Sequence, residues 1–158
     1  MKLLPQTETI LHLMTPDGGV SVPITVRFIG NESPVTANNV TSMSLHLVYD
    51  NCEYVGIGTK YPYMDAFANL QKQLPNGILL KACVNCVHGN LCPYGDLPNL
   101  LFCTKQFAIT EKMDLVQLIA NNSLTNQNDR TFTDICEDFQ MQTSDTYSYS
   151  DYLYYLSE

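Results

Sequence analysis

Residues 20–28, VSVPITVRF, alternate cleanly between apolar and polar positions. Val20, Val22, Ile24, Val26 and Phe28 fall on one side; Ser21, Pro23, Thr25 and Arg27 fall on the other. A period of two predicts a half-buried strand, and Pro23, which lacks an N–H, predicts an edge position for it. Residues 8–15 predict a weaker strand before it. Pro16-Asp17-Gly18-Gly19 supplies the turn that makes the two a hairpin. Residues 30–41, rich in Asn, Ser, Pro and Thr, predict a loop. A second hairpin follows. Met43, Leu45, Leu47 and Tyr49 share a face opposite Ser44, His46 and Val48, and Asp50-Asn51 turns the chain back into 52–57.

The period then changes. Met64, Phe67, Leu70 and Leu74 recur at helical spacing, Pro62 suits a first helical position, and Pro75 and Gly77 end the helix. The apolar runs 78–84 and 100–109 predict two further strands. Residues 111–120 predict a short helix capped by Thr110, with Leu115, Leu118 and Ile119 on one face. The Asn-rich segment 121–130 predicts a loop. In 132–141, Phe132, Ile135, Cys136 and Phe139 stand at helical spacing. The remainder shows no period. Strands and helices are partly segregated, which predicts an α+β fold: an antiparallel meander, a central helix, two more strands and short C-terminal helices. The pattern places one domain over 1–141 and a flexible, acidic, tyrosine-rich tail over 142–158.

Composition supports a folded chain. Of 158 residues, 45% are hydrophobic and 15% charged, which is a globular balance. The net charge of −8 argues against nucleic-acid binding, which needs a basic footprint. No apolar run approaches the roughly 20 residues of a membrane span. The charge is uneven. Residues 106–158 hold Lys112 and Arg130 against nine carboxylates, a net of −7, together with five of the ten tyrosines. That end of the chain is expected to face a protein partner with a basic surface. The N-terminal residues lack a secretory pattern, so a cytoplasmic location is expected.

A reducing compartment makes clustered cysteines read as metal ligands or redox groups rather than disulfides. The cluster here is Cys83-x-x-Cys86, followed by His88, Cys92 and Cys103, with Cys136 more distant. A C-x-x-C turns two thiolates toward one ion, and zinc takes four such donors in a tetrahedron. Spacing alone leaves Cys92, Cys103, Cys136 and His88 open as the remaining ligands. Unligated buried thiols explain the same residues. A thioredoxin-like use of Cys83 and Cys86 would need a helix starting at the motif, whereas the predicted helix precedes it. Four thiolates would also suit an iron–sulfur cluster.

The stretch CVNCVHGNLCPYGDLPNLLFC, with FTDICEDF at 132–139, resembles an uncharacterised bacterial family of small cysteine-containing proteins. Its members carry a C-x-x-C, a Pro-Tyr-Gly turn and two later cysteines. The resemblance covers about residues 78–140. It implies Cys83, Cys86, Cys103 and Cys136 as the shared set, Pro93-Tyr94-Gly95 as the shared turn, and Cys92 as an addition of this chain. It implies no activity; an immunity or accessory role is an association only.

No phosphate loop or nucleophile elbow is present, since Gly18-Gly19 and Gly56-x-Gly58 lead into neither. His12 and His46 lie on strand faces. Asp134, Glu137 and Asp138 read as a solvated surface. In the tail, Tyr152, Leu153, Tyr155 and Leu156 are candidate anchors for a partner. The expectation is therefore a non-enzymatic bacterial accessory or interaction protein with a structural four-cysteine zinc site. The competing expectation is a thiol–disulfide redox enzyme using Cys83 and Cys86.

Overall fold

A computed structural model describes residues 2–3, 6–31, 39–95 and 100–158. In chain order the strands are β1 (Lys2–Leu3), β2 (Thr7–Thr15), β3 (Gly18–Gly30), β4 (Val40–Tyr49) and β5 (Cys52–Gly58). Then come α1 (Pro62–Gln73), β6 (Leu79–Lys81), β7 (Gly89–Leu91), β8 (Leu101–Cys103), α2 (Lys112–Ala120), β9 (Asp129–Arg130) and α3 (Tyr152–Ser157). The fold is α+β. A curled antiparallel sheet runs β5-β4-β3-β2-β6, with β1 also on β3, and a small second sheet runs β7-β8-β9. Most of the loop expected over 30–41 lies outside the described residues. No helix among the described residues is long and apolar enough to cross a membrane.

The two hairpins form where turn chemistry allows. Asp50 and Asn51 both take positive φ, 51° and 59°, between the paired ends Tyr49 and Cys52. This is the left-handed two-residue turn that matches strand twist and that Asx residues tolerate. Pro23 does not lie on an edge strand, because β3 sits between β2 and β4. The β3–β4 ladder, however, ends at Ile24↔Leu47, one residue short of Pro23. The missing N–H thus falls where no β4 partner is paired.

Alternation puts Leu11, Leu13, Ile24, Leu45 and Leu47 on the inner face, each at most 1% exposed. Helix α1 fills the curl with Met64, Phe67 and Leu70, as its spacing predicts. Its side-chain amides also close the sheet's two open edges. Asn69 and Gln73 donate to the carbonyls of Ile57 and Val55 on β5, at 2.7 and 2.6 Å. Gln71 donates to Ile78 O at 3.0 Å and accepts from Leu80 N at 2.7 Å beside β6. Edge groups that would otherwise need water or another chain are thereby paired inside the molecule.

The second half departs from its expected elements. The strand expected over 78–84 stops at Lys81, and Cys83–Asn85 form a single 3₁₀ turn. The strand expected over 100–109 is only Leu101–Cys103, because Thr104 N turns away to His88 O at 2.9 Å. The loop 121–130 contains a 3₁₀ turn, Asn126–Asn128, and then β9, which pairs with β8. Thr110 does not cap α2. Glu111 occupies the cap position, and the Asp114 carboxylate accepts from Thr110 N, Thr110 Oγ1 and Glu111 N.

Residues 132–141 are not helical. Their carbonyls are taken by residues 83–87: Val84 N donates to Phe132 O, Cys83 N to Asp134 O and Val87 N to Gln140 O. The tail expected to be flexible is packed instead. Tyr152 and Tyr155 are 2% and 7% exposed within the core, and α3 lies against α1. A six-residue helix carries too few turns for periodicity to reveal it.

Candidate functional site

Cys83, Cys86, Cys103 and Cys136 lie on segments whose backbones bond to one another at the junction of β6, the second sheet and the 132–141 coil. The Ala82–Cys86 turn is held from within. Asn85, fully buried, accepts from Ala82 N at 3.1 Å and donates to Leu80 O at 2.7 Å. Cys86 N then reaches Cys83 O at 3.3 Å, and Gly89 N reaches Cys86 O at 2.9 Å. The chain folds back so tightly that a Cβ on residue 89 would fall 2.1 Å from Cys83 O, so only glycine fits. Gly89 stands directly across the β7–β8 ladder from Cys103. The coil holding Cys136 is pinned by the 2.6 Å bond from Cys83 N to Asp134 O and by a bridge between Cys86 and Met141.

The thiols sense one another. Burial pushes the Cys83 thiol up to about 12, and Cys86, Asp134, Cys103 and Cys136 add to the rise. Burial raises Cys86 as well. Backbone N–H groups of Gln140 and His88 act on its sulfur in the opposite direction, while Cys103 and Cys136 raise it further. All six cysteines are free thiols. Cys83, Cys86 and Cys103 are buried, and Cys136 is half-buried. Among the described residues, no three His, Cys, Asp or Glu side chains lie close enough together to hold a metal ion. Lys105 lies at the border of the group, paired with Asp138 at 2.5 Å. Asp138 and the two thiols Cys136 and Cys103 favour its charged form.

Cys92 stands apart from this group. It lines a separate cleft with Tyr61, Tyr63, Phe132 and Tyr149. His88 contributes backbone: its carbonyl accepts from Thr104 N, and its N–H faces Cys86. Cys52 is exposed at the start of β5. The chain matches no protein-family model and no curated relative.

The other candidates have ordinary surface partners. His12 Nδ1 pairs with Ser21 Oγ at 2.9 Å, and His46 with Ser44 Oγ and Glu53 Oε1. Asp134 accepts from Thr131 N at 2.7 Å. Gly56 and Gly58 have a structural task. A Cβ at either would meet a carbonyl of α1, Ala66 O at 2.1 Å or Pro62 O at 2.0 Å, so the pair lets the helix lie directly on β5. Sequence reasoning also missed Asn85 and Asn90. Both are buried polar residues inside a cysteine-rich turn, and that context was the available signal.

Proposed function

We propose that Cys83, Cys86, Cys103 and Cys136 form a structural tetrathiolate zinc site in a non-enzymatic interaction protein. The observation that carries this reading is the backbone frame. Cys103 is placed across from the glycine that closes the Cys83–Cys86 turn, and the Cys136 coil is bonded to Cys83 itself. Backbone bonds thus join the three chain segments that carry these cysteines, which supports the reading. The residues suit zinc chemically. Thiolates are its preferred structural donors, and N–H groups aimed at Cys86 are the outer-shell partners that stabilise a bound thiolate. The same four cysteines are those the family resemblance implies.

A site saturated by four thiolates leaves no coordination position for substrate water, so its role is to hold the fold. It would tie the second sheet and the C-terminal coil to the curled sheet. Burial of both Cys83 and Cys86 argues against disulfide exchange, which needs an accessible thiolate. The protein then acts by presenting a surface, in a bacterial cytoplasm, to a partner with a basic face; an immunity role would be one instance.

Elemental analysis of the purified protein tests the site. About one zinc per chain is expected. Cys136→Ser should lose it and melt earlier, and Cys92→Ser should keep it. Metal-free protein whose Cys83–Cys86 pair cycles with dithiol reductant would overturn the reading.

A further inference from the structure

The cleft that receives Cys92 has a composition of its own. It has a volume of about 240 Å³ and lies between the first turn of α1, the end of β7, Phe132 and the residues leading into α3. Four rings line it: Tyr61, Tyr63, Phe132 and Tyr149. Tyr63 and Phe132 meet edge to face with centroids 5.4 Å apart. Among the described residues only one lining residue carries charge, Asp151, and none is Lys, Arg or His. Asp151 is exposed, and its carboxylate forms no hydrogen bond or ion pair among the described residues, although it sits at the cap position of α3. An aromatic box with one unneutralised carboxylate is complementary to a cation and to nothing anionic.

The molecule already uses two of these rings in this way. Lys112 Nζ stands 5.2 Å from the centroid of Tyr149, and Lys60 Nζ 5.9 Å from that of Tyr61. Neither lysine lines the cleft, so no cation of the described residues occupies it. The volume lies just below the roughly 300–1,000 Å³ of small-molecule pockets and suits one inserted side chain.

We infer that this cleft is the recognition pocket for an arginine side chain of the protein partner, its guanidinium stacked on the tyrosine rings and paired with Asp151. Arginine is favoured over lysine because its planar, weakly hydrated head stacks on aromatic faces and meets a carboxylate through two N–H groups at once. The inference rests on the interaction half of the function proposed above, not on the metal site.

The test uses the full-length protein and N-acetyl-arginine methylamide as probe, with tyrosine ring resonances followed by NMR. Saturable shifts confined to Tyr61, Tyr63 and Tyr149 are expected, weakening as salt is raised. The Asp151 side chain makes no cap bond to α3, so Asp151→Asn leaves the helix start intact; it should bind the probe at least about tenfold more weakly, since a charge-assisted pair is lost. Tyr61→Leu, at a half-exposed position, should also weaken binding. Undiminished binding by Asp151→Asn, no saturable shift in the cleft, or preference for the trimethyl-lysine analogue would each overturn the inference. Because the probe is a single amino-acid amide, failure here leaves the wider reading open to its own test by zinc content and by capture of a basic partner on the unmodified protein.

Discussion

The side-chain carbonyl of Asn90 accepts the backbone N–H of Tyr149 at 2.8 Å, joining β7 to a segment 59 residues later. The same side chain donates to Thr104 Oγ1 at 2.8 Å and to His88 O at 3.3 Å. Asn90 is 1% exposed, so its own amide has no water as an alternative. Leu91 N to Tyr149 O and Ser148 Oγ to Gly89 O extend the seam. Asn90→Ala should therefore cost at least about 1–3 kcal/mol. Hydrogen exchange should show the Tyr149 amide losing protection before those of β3 and β4.

Helix α1 touches β5 through glycine. Gly56→Ala forces a methyl to within 2.1 Å of Ala66 O and 2.6 Å of Leu70 Cβ. Neither can yield without moving the helix and breaking the Asn69 and Gln73 bonds to β5. A loss of about 1–3 kcal/mol or more is expected by urea denaturation. Gly19→Ala, where the nearest atom would be 3.9 Å away, should shift stability by less than about 0.5 kcal/mol.

Tyr152 is the opposite case. Its hydroxyl is buried beside Asn85, yet no partner stands in hydrogen-bonding geometry to it. An unmet buried hydroxyl is a cost, so Tyr152→Phe should stabilise by about 1 kcal/mol. A destabilisation of that size would instead show that Asn85 satisfies the hydroxyl in solution.

Docking of α3 should fail in alkali. Burial pushes the Tyr155 phenol up to about 12, helped by Tyr61, Asp65, Asp151 and Glu158 nearby. The folded state thus prefers the protonated form. Its contribution to stability is complete below the ordinary value of 10.0 and is lost as pH rises toward 12. Thermal melts across that interval should fall more steeply for the natural protein than for Tyr155→Phe. Tyrosinate absorbance should rise together with the loss of structure.

At the acid end, Asp114 carries the sign in reverse. Three hydrogen bonds from Thr110 and Glu111 hold its carboxyl below the ordinary value of 3.8. The stabilisation is present above that value and lost as pH falls through the lower folded one. Asp114→Asn should melt earlier than the natural protein at neutral pH. The gap should close below the carboxylate range.

Much of the first half was legible because it obeys periodicity. The strands of the meander, the Asp50-Asn51 turn and the buried stripe of α1 each follow from local side-chain alternation over many residues. The second half resisted for a shared reason. Its strands are two or three residues long, its turns are closed by Asn85 and Asn90, and its 132–141 carbonyls bond the Cys83–Cys86 turn instead of their own helix. Helical spacing at Phe132, Ile135, Cys136 and Phe139 reflects burial on one side of a coil, which a helix-length window cannot distinguish from a helix.

Sequence alone thus determined the α+β class, the meander, the central helix and the C-x-x-C as the chemically distinctive element. Side-chain period and turn propensity are local properties, readable without knowing what lies opposite. Only the tertiary structure decided which cysteine-bearing segments lie side by side. Cys92 is closer in sequence to Cys86 than Cys103 or Cys136 is, yet the turn at Gly89 sends it to the aromatic cleft. Ladder pairing and backbone hydrogen bonds join the segments of Cys103 and Cys136 to the Cys83–Cys86 turn. The acidic, tyrosine-rich end changed for the same reason: Tyr152 and Tyr155 have a place in the core only because α1 is there to receive them. Which polar residues become buried is likewise set by long-range contacts.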